Sequence, residues 1–358
     1  MEIIQTTHSQ IELGDIQKSS FQQVLQAYNQ QKKVIVVDEN THDTCLEYLI
    51  TTFPELEKAE IILLPAGEEN KVMEVCFQVW QAFTEYKIER KDLVINLGGG
   101  VVTDMGGFIA SVYKRGLKFI NVPTSLLAMV DAAIGGKTGI DLDGYKNQLG
   151  TFSHPTHVYI DPLFLGTLPE EEIFNGYAEM LKHALISSRE TWDLLSTIHS
   201  EEDLVTLENI KRSVLIKTNI VDSDPEEKGV RKLLNFGHTI GHALESYFLM
   251  STPISHGHAV ALGMVAESFI SWKKGMLTEH DFRAIETSIT ASFPMIFLEP
   301  DAVQNVVNLL HQDKKNEQGR ILSTLLSDIG VGVYNQEITE EEAALSLLHL
   351  SILHGQLN

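Results

Sequence analysis

The sequence predicts an α/β N-terminal domain, Rossmann-like with a parallel sheet, followed by a mostly α-helical C-terminal domain. Three observations carry that prediction. Apolar β-rich runs alternate with helical patterns through the first half, a glycine-rich turn joins one such run to a helix, and the β signal fades after about Leu168. Continuous apolar strands alternating with helices indicate a parallel sheet covered on both faces. The strands are read at residues 34–38 (VIVVD), 61–64 (IILL), 93–97 (LVINL) and 117–122 (LKFINV). Between the second and third, residues 72–86 set Val75, Val79, Ala82 and Phe83 on one helical face. Beyond the boundary, residues 170–186, 202–220, 231–248, 258–274 and 303–311 all carry helical periodicity. The segment 161–169 (DPLFLGTLP), with its prolines and glycine, marks the junction, so the expected domains are 1–168 and 169–358.

A chain of 358 residues suits two domains. Hydrophobic content of 43% with 21% charged residues is that of a soluble globular protein. No apolar run approaches the roughly 18–20 residues that cross a bilayer. The start, MEIIQTTHSQIELGD, has neither a basic region nor an apolar core, so no export signal is expected. Cys45 and Cys76 lie far apart without metal-type spacing, which suits free thiols in a reducing cytoplasm. The net charge of −22 argues against nucleic acid or an anionic membrane as partner. Lysines and arginines gathered near glycines and histidines then point to a small anionic ligand.

Leu97-Gly98-Gly99-Gly100 follows a buried strand and opens a helical stretch with Asp104 in its first turn. In that arrangement backbone N–H groups and a helix N-terminus face a pyrophosphate, although GGG is not the GxGxxG fingerprint and tight turns use the same residues. Asp38 ends the first strongly apolar strand, where a carboxylate either accepts from a ribose or caps the next helix. Two further loops follow strand ends, Pro65-Ala66-Gly67-Glu68-Glu69-Asn70-Lys71 and Pro123-Thr124-Ser125. Capping by itself explains Thr124 fully. Three such loops at one end of a sheet are harder to explain that way.

The segments Asp131 to Thr138 and Tyr145-Lys146-Asn147 read as a glycine-rich connection whose Lys137, Lys146 and Asn147 suit a phosphate or carboxylate. Gly135-Gly136-Lys137-Thr138 resembles the end of a Walker A loop, but the upstream glycine is missing, so an NTPase is rejected. His238 and His242 stand four apart in a helical segment and share a face, and His256 follows a break at Ser251-Thr252-Pro253. Catalytic zinc-type sites use about three protein ligands and one open position. Glu179 is the oxygen ligand that completes a set with His238 and His256. Its alternative is a solvated helical ion pair with Lys182, worth a few tenths of a kcal/mol.

Taken in order, PAGEENK, GGGVVTDMGGFIAS, KRGLKFINVPTSLLAMVDAAIGGKTGID, KNQLG, GYAEMLK, LLNFGHTIGH, HGHAVALGM and DKKNEQGR resemble the 3-dehydroquinate synthase family, over roughly residues 65–320. The resemblance implies conversion of 3-deoxy-D-arabino-heptulosonate 7-phosphate to 3-dehydroquinate and phosphate in the shikimate pathway. The implied steps are NAD-dependent oxidation, phosphate elimination, reduction, ring opening and intramolecular aldol closure. It implies a divalent metal, Zn²⁺ or Co²⁺, on Glu179, His238 and His256. NAD⁺ would lie against Gly99, Gly100 and Asp104, with Asp38, Glu68, Lys71, Thr124, Ser125, Lys137, Lys146 and Thr167 around its other groups. The substrate would meet Asp131, Lys137, Lys146, Asn147, Lys182, Lys217, Arg231, Asn235, His242 and the lysines of Asp313-Lys314-Lys315. Arg115 matches a family arginine that reaches the phosphate bound by the neighbouring subunit, which implies a homodimer.

The chain departs from the family pattern at several places. The usual HGE is HGH, putting His258 beside a metal ligand. Two alanines follow Asp131 where serines are common, Ser125 replaces a second threonine, and Thr103 replaces a glycine. Competing expectations are another sugar phosphate cyclase of the 2-epi-5-epi-valiolone synthase type, or a glycerol-dehydrogenase-like metal-dependent alcohol dehydrogenase. Lys217 and Asn235 discriminate among the cyclases and fit dehydroquinate synthase. An alcohol dehydrogenase would not need so many cations.

Overall fold

The Val- and Ile-rich runs of the first half form the sheet their alternation with helices demands. The strands are β1 (Glu2–Gln5), β2 (Gln10–Leu13), β3 (Lys33–Asp38), β4 (Glu60–Leu64), β5 (Leu93–Gly98), β6 (Lys118–Pro123), β7 (Lys137–Leu142), β8 (Tyr145–Phe152) and β9 (His157–Ile160). This computed structural model describes residues 1–143, 145–198, 200–249, 251–311 and 320–357. Two compact units emerge, Met1–Ile173 with Val205–Thr218 and Phe174–Leu204 with Asn219–Asn358.

In the first unit the sheet runs in the order β1-β2-β9-β6-β5-β3-β4. All pairs are parallel except the edge pair β1–β2. From β3 the chain steps outward to β4, then returns to the other side of β3 as β5 and continues to β6. The strand order therefore reverses between β3 and β5, and ligands of open α/β sheets bind beyond the carboxyl ends of the strands at such a switch point. Asp38 and Gly98 are the last residues of those two strands. The sheet is flanked by α1 (Phe21–Ala27), α2 (Met73–Glu85) and α3 (Gly100–Val112). Val34, Val36, Val94, Val102, Phe108 and Phe119 share one buried cluster on the face that α2 and α3 cover.

Residues 137–152, which take in part of the segments 131–138 and 145–147 read as a connection, form the antiparallel hairpin β7–β8, in register from Lys137↔Phe152 to Leu142↔Tyr145. The glycines that suggested a loop allow close pairing here. A Cβ on Gly150 would lie 2.4 Å from the Thr138 carbonyl oxygen.

The second unit is built on helices α4 (Glu170–Ser187), α5 (Arg189–Leu195), α7 (His238–Phe248), α8 (His256–Lys273), α9 (Glu279–Ser292), α10 (Pro300–Leu310) and α11 (Glu340–Leu357). A further helix, α6 (Leu207–Ser223), belongs mostly to the first unit and corresponds to the longer helix read at 202–220. α8 is buried along nearly its whole length, as its all-round apolar sequence requires. The helix read at 231–248 is broken. Val230–Asn235 forms a 3-10 turn and Gly237 takes a left-handed φ of 77°, so α7 starts at His238. The antiparallel hairpin β10 (Ile321–Asp328) and β11 (Val331–Ile338) was not legible, because six consecutive buried residues of β10 carry no alternation. Among the described residues no helix is long and apolar enough to cross a membrane.

Candidate active site

At the carboxyl edge of the sheet, α3 begins with Gly99 as its N-cap, and among the described residues no side chain accepts from its first-turn N–H groups as a cap. Gly98 is explained by packing, since a Cβ there would lie 2.5 Å from the Val102 Cβ. The next two glycines are less crowded. A Cβ on Gly99 would stand 3.3 Å from Ser125 Oγ, and one on Gly100 3.4 Å from Leu127. What their bare Cα atoms leave open is a cradle at a helix N-terminus, which fits a pyrophosphate. Thr124 N–H donates to the Gly98 carbonyl (3.1 Å), fixing the β6 loop against the glycine turn. Ser125 Oγ accepts from Ala128 N–H at 3.3 Å.

Lys71 is the hub of this edge. Its Nζ lies 2.7 Å from Asp104 Oδ2, 2.9 Å from Asn147 Oδ1 and 3.7 Å from Glu68 Oε1, and Lys146 Nζ is also 3.7 Å from that Glu68 oxygen. Burial alone would depress the Lys71 ammonium, but the Asp104, Glu68 and Asp141 carboxylates hold it well above the usual lysine range. The charge is therefore locked on. Asn147 sits at φ 52°, and its backbone N–H donates to Asp141 Oδ1 at 2.7 Å. Asp141 N–H in turn donates to the Lys71 carbonyl at 2.8 Å.

Other residues of the first unit fall at separate places. Asp38 caps a helical turn, its Oδ1 accepting from Thr41 N–H and from Thr41 Oγ1, both at 2.8 Å. Thr167 lies beside the buried Cys45 thiol, which burial pushes up and which also feels Asp38. Lys217 Nζ pairs with Asp131 Oδ1 at 2.7 Å. Lys137 and Lys146 occupy opposite ends of the β7–β8 hairpin. Four residues of strand, about 13 Å, separate their Cα atoms. Arg115 is exposed and follows the far end of α3. Thirteen residues of helix, about 20 Å, stand between it and the glycine turn of its own chain.

In the second unit α7, α8 and α4 bring Glu179, His238, His242 and His256 together. Glu179 Oε1 is 3.5 Å from Nε2 of both His238 and His256. Ligands about 2.0–2.1 Å from one tetrahedral ion stand about 3.3–3.4 Å apart, so this spacing fits a zinc-like ion. The ring nitrogens of His238, His242 and His256 lie within 4.8 Å of one another. His238 Nδ1 faces the Phe236 carbonyl at 3.0 Å, which assigns the proton to Nδ1 and leaves the Nε2 lone pair for a cation. His256 Nδ1 stands 3.4 Å from Glu245 Oε2, a carboxylate–histidine arrangement of the kind that orients metal ligands. Burial would depress His256, but Glu245 and Glu179 raise it to about 9, so the donor set favours positive charge.

The pairing of Glu179 with Lys182 is not a solvated one. Lys182 Nζ donates to Glu179 Oε2, and both side chains are buried. A glycine sets the approach of α4 to α8. Gly257 N–H donates to Asn175 Oδ1, and a Cβ on Gly257 would meet the Asn175 carbonyl oxygen at 2.2 Å. Only glycine after His256 lets Glu179, one turn beyond Asn175, reach the imidazoles.

Arg231 is buried and rigidly held, with Nη1 donating to the Pro225 carbonyl at 2.6 Å. Asp224 organises the turn by accepting N–H groups from Lys228, Gly229 and Arg231. Burial opposes its ionisation, but those N–H groups keep its carboxyl below the usual range. Asn235 Nδ2 donates to Glu227 Oε1 at 2.9 Å. His258 turns away from the cluster, its Nε2 at 2.7 Å from the Pro294 carbonyl oxygen and its ring stacked on Phe293. Lys314, with Asp313 and Lys315, lies outside the described residues.

Sequence reading missed Glu245, Asn175 and Asp224. The signal for Glu245 was present, a carboxylate three residues after His242 on the same helix. Asn175 carried no signal of its own.

Residues 61–175 match a family profile described as 3-dehydroquinate synthase N-terminal, and residues 176–316 match 3-dehydroquinate synthase C-terminal. A 3-dehydroquinate synthase of Parabacteroides distasonis is 42% identical over 333 residues, covering 92% of this chain and 94% of that protein. A solved 2-epi-5-epi-valiolone synthase from Streptomyces hygroscopicus subsp. jinggangensis, with NAD⁺ and Zn²⁺ bound, is similar at a TM-score of 0.85 and 27% identity, covering 99% of each chain. A solved 2-deoxy-scyllo-inosose synthase, complexed with carbaglucose-6-phosphate, NAD⁺ and Co²⁺, shares the fold at a TM-score of 0.82 and 22% identity, over 97% of this chain and 99% of that one.

Proposed function

Because the chain belongs to the 3-dehydroquinate synthase family, we propose that it converts 3-deoxy-D-arabino-heptulosonate 7-phosphate to 3-dehydroquinate and phosphate, with NAD⁺ and a divalent metal as its cofactors. It is a phosphate-eliminating carbon–oxygen lyase. The observation that carries the site assignment is the placement of Glu179 Oε1 at 3.5 Å from the Nε2 atoms of His238 and His256. Bound Zn²⁺ or Co²⁺ supplies Lewis acidity at the hydroxyl to be oxidised, and NAD⁺ supplies a hydride acceptor regenerated each turnover.

The chain's own residues do the rest. Residues 1–168 hold NAD⁺, through the open N-terminus of α3, Asp104, Glu68 and Lys71. Residues 169–358 hold the metal and much of the substrate. Lys182 neutralises the second oxygen of Glu179, leaving Oε1 to face the imidazoles. Arg231 is a guanidinium fixed before any ligand arrives, so binding an anion costs little ordering. Lys146 and Asn147 hold one charged end of the substrate, and Lys217 is oriented by Asp131. His242, whose ring lies 5.0 Å from that of His238, tunes hydrogen bonding beside the ligands. With both cofactors supplied, the purified protein is expected to release phosphate from the heptulosonate phosphate and not from sedoheptulose 7-phosphate. Turnover of the second compound alone would instead make it a cyclase of the valiolone type.

The enzyme works as a homodimer in the cytoplasm. Arg115, exposed beyond the far end of α3, acts on the phosphate held by the partner subunit. Arg115→Ala and Lys146→Ala are each expected to be inactive while still binding NAD⁺. Mixed and allowed to exchange subunits, they should recover about a quarter of wild-type turnover, since half the dimers carry one intact site of two. No recovery on mixing, with subunit exchange verified, would overturn the action of Arg115 across subunits.

A further inference from the structure

We infer that Glu267 is a positioning residue for His238, an inference that rests on the metal assignment proposed above. Glu267 lies on α8, about three turns beyond His256, and is fully buried. One of its oxygens accepts the Gly237 N–H at 2.7 Å and the other the Ile240 N–H at 3.2 Å. Those two residues bracket His238. Gly237, as N-cap of α7, has no side chain to satisfy the first turn, and the carboxylate from α8 does so instead.

The turn has no slack. At φ 77°, a Cβ on Gly237 would lie 2.8 Å from the Val260 carbonyl oxygen, and one on Gly263 would lie 1.9 Å from the Gly237 carbonyl oxygen. The His238 ring is keyed to the same turn by its Nδ1 contact with the Phe236 carbonyl. Thus α8 carries His256 at its start and, further along, the carboxylate that fixes the backbone of the other imidazole. Glu267 acts through the backbone that carries His238. It sets the direction of the His238 Nε2 lone pair relative to His256.

Zinc affinity of the full chain, measured by chelator competition, and the visible spectrum of the Co²⁺-loaded protein test this. Glu267→Gln sets an amide N–H₂ against a backbone N–H and is expected to weaken zinc binding about tenfold or more and to shift the Co²⁺ bands. Glu267→Asp keeps the charge and should give an intermediate result, and it decides by the same readouts if the glutamine variant does not fold. Glu286→Gln removes a different buried carboxylate, paired with His349 and Arg283. It should lower stability and leave zinc affinity and spectrum unchanged. Wild-type affinity and spectrum in the Glu267 variants, with stability alone reduced, would overturn the positioning role. Equal zinc binding by wild type and His238→Ala would instead overturn the metal assignment itself.

Discussion

Glu179→Gln protein is expected to emerge from dialysis without zinc and to turn over about 10³–10⁴-fold more slowly than wild type. Glutamine keeps the volume of the buried side chain but replaces an anionic ligand with a neutral amide. Two imidazoles remain, short of the three protein ligands that catalytic zinc sites use. Lewis-acid stabilisation is worth several kcal/mol, and each 1.4 kcal/mol is a factor of ten in rate, which sets the size of the loss. Glutamine is preferred to alanine because Lys182 is buried against Glu179. Both changes remove the counter-charge of that ammonium, at a cost of about 3–5 kcal/mol, but glutamine keeps an amide oxygen to accept from it whereas alanine leaves a void. Metal content after dialysis and initial phosphate release are the two readouts. One equivalent of zinc retained with near-normal turnover would move the metal elsewhere.

Legibility in the sequence followed the range of the interaction. The sheet was readable because each strand is a local apolar run, and 34–38 and 93–97 differ by only a residue or so from β3 and β5. The histidine pair was readable because four residues are one turn of helix. Interactions that tie distant segments left little trace. Nothing in the text of Pro65–Lys71 says that Lys71 meets Asp104 and Asn147, which lie 33 and 76 residues away. Glu267 reads as one polar residue in an apolar helix until α7 is laid against it. The hairpin at 137–152 was hidden because the same glycines serve a loop and a tightly paired ribbon, and register cannot be seen in composition. Asp38 shows the converse. The alternative offered for it, a helix cap, is what its Oδ1 does in the folded chain.

Lys71→Met should be the most destabilising single change in the first unit, by about 3 kcal/mol at pH 8. Methionine matches the stem of the lysine and removes only the charge. Glu68, Asp104 and Asp141 are then left facing one another without the cation that offsets their desolvation. The pH dependence gives the test its sign. In the wild type the folded-state pKa of Lys71 is raised, so its stabilisation is complete at neutral pH and fades only as pH climbs past the ordinary lysine range. In the variant the carboxyls that have lost Lys71 take that role. Burial already raises Asp104 and Asp141 above the ordinary aspartate range, and loss of the ammonium raises them further. A carboxyl whose folded pKa is raised binds protons more readily in the native state, so the variant regains stability as pH falls toward 5. Denaturant unfolding at pH 8 and pH 5, beside NAD⁺ affinity at pH 8, would read both effects. A deficit below about 1 kcal/mol, or one that widens on acidification, would show that the carboxylates are not held by Lys71 and that the nucleotide edge is organised by the glycine turn alone.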